Sequence, residues 1–406
     1  MLKLPVMKMT VIGKALIILA LVSILPACQA IFPVVSPSPV VTATPTSTIT
    51  PTPPPTSTPT QTPTPSPTPT ITPTPTPLLL ALPGTALPDS LPAITLANAG
   101  QVSGLATWQE APITDMAWAP SGSSLAVATD SLITLYDPQT RQKQRSLYPT
   151  TQGVVAITFD PTGSWLVAGS NQGTLDTGFQ SDLQLWFGEE LKPVGILFTS
   201  PSGISDLVFS PQNNLFAASY TAPLEAGNRI DFWNPATWTI TGTLQTGAVL
   251  QTAFSPGGSI FATTPDRYAI HIWDLAARGE RAFNLPTSFT GAVNVLAFAP
   301  SGLTLATGHY DGRILLWDLF TGAQTLAMQT NGVVESLAFS PDGSLLASGS
   351  GFNDQAVRLW NPATGDLLNT LQGHASGVNH LAFSPKGEYL ASGSFDGSLR
   401  LWGVRP

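Results

Sequence analysis

An all-β fold built from seven copies of one small unit is predicted by three observations. First, one pattern recurs seven times: an apolar-alternating run ending in an aromatic, a tight turn, a small-residue strand, a second turn, and a strand ending near Trp. Second, the copies follow one another at intervals of 41 to 50 residues, a period typical of arrays in which each repeat is one supersecondary unit. Third, glycines are spread evenly through this region, as many short strands joined by turns require.

The first strands end at Trp118, Phe159, Phe209, Phe254, Phe298, Phe339 and Phe383. A turn follows each one, as in Ala119-Pro120-Ser121-Gly122 and Ser340-Pro341-Asp342-Gly343. Proline presets φ at the first central position, and glycine supplies the positive φ that the turn needs; Asn213 replaces that glycine once. The third strands end in Leu135-Tyr136-Asp137, Leu185-Trp186-Phe187, Phe232-Trp233-Asn234, Ile272-Trp273-Asp274, Leu316-Trp317-Asp318, Leu359-Trp360-Asn361 and Leu401-Trp402-Gly403. In this pattern residues 91–406 resemble the WD40-repeat family, although the Trp-Asp dipeptide is intact only at Trp273-Asp274 and Trp317-Asp318. The resemblance implies a seven-bladed β-propeller that binds other molecules and is not an enzyme. The seventh copy stops after its third strand, and Val102 to Trp108 reads as an extra strand before the first copy. Pairing of that strand beside Ser398 to Trp402 would close the ring without an exposed edge.

Residues 1–27 read as a lipoprotein signal peptide. Lys3, Lys8 and Lys14 precede an apolar run, Ala15 to Leu25, that is too short to span a bilayer but suits a signal core. Leu25-Pro26-Ala27-Cys28 resembles the bacterial lipobox, which implies lipidation of Cys28, the single cysteine; Pro26 is less usual at its position. An ordinary signal peptide or uncleaved anchor is the alternative. Residues 28–90 form a linker rich in Pro, Thr and Ser and uncharged up to Asp89. Such a segment buries little apolar surface and stays extended and disordered, reaching roughly 130 Å if its Pro/Thr core is fully drawn out. The expected localisation is the outer face of a bacterial cytoplasmic membrane, with the propeller lifted off it by the linker.

The chain carries a net charge of −8 over 406 residues, and three of its basic residues sit in the leader. An acidic domain argues against nucleic acid and anionic lipid headgroups as partners. One cysteine rules out an internal disulfide. A monomer is expected.

Chemistry-bearing residues are sparse. The last copy holds His374, Ser392, Asp396 and Trp402, and a Ser, a His and an Asp invite a hydrolase reading. No Gly-x-Ser-x-Gly elbow exposes the serine, and the family resemblance implies instead a structural tetrad tying loops to strands. The fifth copy keeps Thr307, Asp311 and Trp317 but has no Gly-His before it. His271, His309 and His380 share no ligand spacing, so no metal or cofactor is expected.

The copies differ most in the turn between second and third strands, which is longest in copies two and three. By family geometry these turns share the face that carries His374, and insertions gathered on one face often mark a binding side. The candidates for a protein or peptide partner are Asn171, Gln172, Asp176, Phe179, Gln180, Asp182, Leu224, Glu225 and Asn228, with neutral loop growth as the alternative. Trp238 and Phe179, if exposed side by side, would instead favour a glycan or small-molecule ligand. Asp115, Asp206, Gln251 and His380 stand three residues before their strand-one aromatics. They could border a site at the mouth of the central channel, binding or even catalytic, although blade-to-blade packing would explain them equally.

Overall fold

The computed structural model describes residues 91–174, 178–212, 214–221, 228–247, 251–264, 269–275, 279–280, 285–286 and 291–405. The leader, Cys28, the linker, Asp176, Leu224 and Glu225 lie outside them. The described residues form seven antiparallel sheets, the blades of a propeller. Blade 1 runs Ile113–Trp118, Leu125–Thr129, Ile133–Asp137 and Gln142–Leu147 from its innermost strand outward. Blades 2 to 6 repeat this order, beginning at Val154, Gly203, Thr252, Val293 and Val334. In blade 4 two short pieces, Gly279–Glu280 and Leu285–Pro286, pair on the third strand where the other blades have one outer strand. Blade 7 takes three strands from Val378–Phe383, Leu390–Ser394 and Ser398–Val404. Its fourth is Val102–Gln109, paired antiparallel from Val102↔Val404 to Gln109↔Ser398.

Each blade buries both faces, so the core is a ring of wedges between blades. Leu105, Ile113, Met116, Tyr136, Leu399 and Leu401 fill the wedge between blades 7 and 1. The wedge between blades 3 and 4 is the thinnest of the described ones, with Ala217, Ile230, Phe254 and Phe261 fully covered. The Pro-x-Gly turns add a second ring of contacts. Gly163, at φ 74°, would bring a Cβ to 3.4 Å from Pro120 of the preceding blade, and Gly343 stands likewise against Pro300. A side chain there would be strained by the positive φ, with its Cβ in ordinary contact with the neighbouring ring.

Innermost strands carry a bulge that decides what faces the axis. Register slips by one residue between Ile113 and Asp115, Ile204 and Asp206, Val334 and Ser336, and Val378 and His380, with the same slip in blades 2 and 5. Two residues then oppose one, and the strand twists locally. The residues at these bulges tie one blade to the next. Asp115 accepts the Ile157 N–H at 2.8 Å, and Asp206 accepts both the N–H and the hydroxyl of Thr252 at 2.8 and 3.0 Å. Asn294 donates to Val334 O, Ser336 to Val378 O, and Asn379 to Ile113 O.

Candidate partner-binding face and axial cavity

The four tetrad residues of blade 7 meet. Trp402 Nε1 donates to Ser392 Oγ at 2.8 Å, and Ser392 Oγ lies 2.7 Å from His374 Nε2. On the other side of the ring, His374 Nδ1 is 2.8 Å from Ser398 Oγ and 3.4 Å from Asp396. Asp396 also accepts the N–H groups of Ala375 and Ser398, each at 2.6 Å. Burial drives the His374 pKa down to about 4 against the opposing pull of Asp396. Burial would raise Asp396, but the hydrogen bonds it accepts from Ser398 and Ala375 hold it low. Ser392 is wholly buried and holds two neighbours, so no nucleophile is presented.

Blade 5 contains an imidazole that the sequence pattern missed. His309, at the end of the second strand, lies 2.9 Å from Thr307 Oγ1 and 3.1 Å from Gly291 O, while Trp317 Nε1 donates to Thr307 at 3.0 Å. The ring therefore stands beside Thr307 as His374 stands beside Ser392, but it is supplied from the strand and not from the loop before the blade. The tryptophan bond recurs in blades 4 and 6, Trp273 to Thr263 and Trp360 to Ser348. In blade 3 the residue in register with that hydroxyl is Ala218, and Trp233 Nε1 has no partner among the described residues.

The second-to-third-strand connection of blade 2 is not an irregular loop. Strand pairing continues from Trp165↔Phe187 to Thr174↔Gly178, so the extra residues make a tall hairpin. This corrects the placement of two candidates expected on the surface. Asn171 is buried, donates to Ile204 O, and accepts from Ile204 N–H and Ser181 Oγ, all at 2.8 Å, latching blade 2 to blade 3. Asp182 is buried and accepts the hydroxyls of Thr151 and Thr199. Lengthening the strands put both residues on a paired, covered face. Asn228 is half-buried and opens the third strand of blade 3, opposite Thr246. Gln172 and Gln180 are exposed partners on the hairpin; Phe179 is placed by its backbone opposite Gly173. Trp238, expected as a surface aromatic, is half-buried and packs edge-on against Trp165, Phe209 and Phe216, so the exposed pair required for a glycan platform does not form.

Around the axis, the innermost strands enclose a cavity of about 310 Å³. Asp115, Asp206, Gln251 and His380 all line it, together with Asn294 and Glu335, which the sequence reading did not single out. None of its described lining residues is Lys or Arg. Asp115 Oδ1 lies 3.2 Å from His380 Nδ1. Burial raises the Glu335 pKa, against a hydrogen bond from Asn294 and the proximity of His380. Phe395 also lines the cavity, and its ring stacks on Phe352 at 5.3 Å and 9°. Phe352 is 52% exposed, and both rings sit in second-to-third-strand turns, on the His374 face. Tyr148, 77% exposed, stands on the same face in the connection into blade 2. Leu303 and Phe320 are exposed on the opposite face of blade 5. Among the described residues, no group of three or more His, Cys, Asp or Glu could hold a metal ion.

Seven antiparallel blades, closed on the last by the first strand and latched around a polar axis, define a closed β-propeller. The model of the WD domain, G-beta repeat, matches residues 103–137, 141–175, 283–318, 323–361 and 365–403, and the chain belongs to the WD40-repeat propeller family. Most of the matched units begin in the outer strand of one blade and end with the third strand of the next. The unmatched stretch holds blade 3, whose Trp233 lacks its hydroxyl partner, and most of blade 4, whose outer strand is in two pieces. No curated protein matches the chain. Propellers of this family commonly mediate protein interactions and are typically non-enzymatic scaffolds.

Proposed function

We propose that this protein is an exported, lipid-anchored scaffold that binds a protein or peptide partner on the His374 face of its propeller. The observation that carries the reading is the Phe352–Phe395 stack at the opening of the acidic axial cavity. Its own fold leaves that aromatic surface uncovered, and buried aromatic anchors dominate the energetics of protein interfaces. The carboxylates behind it favour a partner segment that brings a basic side chain along with apolar ones. The exposed Gln172–Gln180 pair of the blade 2 hairpin belongs to the same face. No catalytic role is assigned, because the ionisable residues of the cavity and tetrad are engaged in holding blades and loops together. Anchoring rests on the sequence around Cys28.

Proximity labelling from the anchored protein tests the binding face. Phe352→Ser and deletion of 172–180 should each lose partners that wild type labels, while Phe320→Ser on the opposite face should keep them. Unchanged labelling by both of the first two variants would refute the assignment. Cys28→Ala should move the protein from the membrane fraction to the soluble one; retention would refute lipid anchoring.

A further inference from the structure

The connection from blade 5 into blade 6 holds Asn331-Gly332, the single Asn-Gly pair of the chain. A backbone nitrogen that follows an asparagine can, once deprotonated, attack the side-chain amide, and glycine offers no side chain to hinder the approach. Asn331 is exposed, and neither residue belongs to a strand. Among the described residues, neither the Asn331 side chain nor the Gly332 N–H has a hydrogen-bond partner. The three Asp-Gly pairs of the chain differ on this point. Their Gly312, Gly343 and Gly397 N–H groups donate to His309 O, Ser340 O and Ser394 O at 3.1, 2.8 and 3.1 Å. Asn353, exposed in the neighbouring turn, is followed by Asp354, whose N–H donates to Gly351 O at 3.0 Å. An N–H held by a carbonyl must first give up that bond before its nitrogen can react.

We propose that Asn331 is a site of spontaneous deamidation and that the change loosens the turn carrying Phe352. The Gly332 nitrogen, having lost its proton to hydroxide, bonds to Asn331 Cγ. The Cγ–Nδ2 bond breaks, and the amide nitrogen leaves as ammonia with a proton from water. Water then opens the cyclic imide at either carbonyl, giving aspartate or isoaspartate at position 331. Both products add a carboxylate, and isoaspartate reroutes the main chain through Cγ, lengthening it by one carbon. The site is tied to the next turn on both sides. Asn331 N–H donates to the Asp354 carboxylate, which also accepts from Arg358 Nη2 at 2.8 Å. Val333 O accepts the Gly351 N–H at 2.8 Å, and a Cβ on Gly332 would stand 3.0 Å from Asp354 Cβ. A new carboxylate here repels that of Asp354. The inserted carbon falls between the two bonds, so they cannot both keep their geometry. Phe352 lies between Gly351 and Asp354, so an effect on partner capture rests on the binding face proposed above, whereas the modification does not.

Ageing the soluble chain from residue 28 onward at mildly alkaline pH tests both steps. Peptide mapping by mass spectrometry should find the acid at position 331, divided between aspartate and isoaspartate, at a rate proportional to hydroxide and with Asn353 intact. The modified form is separated by anion exchange on its added negative charge. Its hydrogen exchange in residues 351–355 should be about tenfold faster than in the unaged chain, as loss of one hydrogen bond to a charged group implies. Asn331→Gln, whose longer side chain closes the ring poorly, should stay unmodified and keep slow exchange through the same ageing. The proposal is overturned if Asn331 stays intact, if Asn353 deamidates as fast, or if exchange in the modified form is unchanged. An aged chain whose turn exchanges faster yet labels the same partners upholds the proposal and counts against Phe352 as an anchor.

Discussion

Ser392→Ala should cost about 2–6 kcal/mol of stability. An ionised carboxylate can only accept, so Asp396 beside Nδ1 favours the proton there and leaves His374 Nε2 to accept the Ser392 hydrogen, while Ser392 Oγ accepts from Trp402. His374 is thereby fixed as the neutral tautomer with its proton on Nδ1, facing Ser398 and Asp396. Removal of Oγ strands one donor and one acceptor away from water, at about 1–3 kcal/mol each. Ser398→Ala is the matched control. It leaves Nδ1–H with Asp396 at 3.4 Å and should cost less than about 1 kcal/mol. Urea unfolding of the soluble chain, followed by tryptophan fluorescence, reads both as shifts of midpoint at constant slope. If Ser392→Ala lies within about 1 kcal/mol of wild type, or Ser398→Ala costs as much, the hydrogen-bond relay described for blade 7 is wrong.

Acidification supplies another test. The His374 pKa is about 4 when folded, below the ordinary value of 6.5, so between those values the unfolded chain binds a proton that the folded one refuses. Stability should therefore be full above pH 6.5 and fall as pH drops towards 4, by at most about 3 kcal/mol at 1.36 kcal/mol per unit. Burial lowers His309 too, which adds in the same direction. His374→Gln should flatten the profile of urea midpoints between pH 4.5 and 7, and an unchanged slope would contradict the assignment. Asp206→Ala should loosen the thinnest wedge, because it frees the Thr252 N–H and hydroxyl at the seam between blades 3 and 4. Hydrogen exchange should quicken in 252–264 with blades 1 and 7 unaffected; a uniform change across the ring would refute a local latch.

The repeat was legible in the sequence because each strand's alternation and each Pro-x-Gly turn act locally, within one blade. The residues around the axis were harder to read. Whether Asp115 and Asp206 serve a channel or a seam depends on a bulge of one residue, which no composition signal announces, and the structure has them do both. Asn171 and Asp182 looked like loop residues because the insertion in blade 2 is polar. Strand pairing extended through the insertion and buried them against Ile204, Thr151 and Thr199. His309 could have been found from its position two residues after Thr307, had a strand been considered as a source of the imidazole. The Phe352–Phe395 stack joins turns of two neighbouring blades, a proximity that the side-by-side packing of blades creates.

The way the chain enters the ring has a mechanical consequence. Ahead of the closing strand, Ile94 N donates to Gly387 O at 2.8 Å, and the Asn369 side chain grips Ala99 O and Val102 O at 2.9 and 3.1 Å. Ile94 and Ala99 are also sunk into the wedge between blades 6 and 7. Tension arriving along the chain before Leu91 therefore falls on this clamp before it reaches the hydrogen bonds between Val102–Gln109 and Ser398–Val404. The clamp works as a strain relief, keeping the strand that holds the ring shut out of the load path of any pull along the preceding chain.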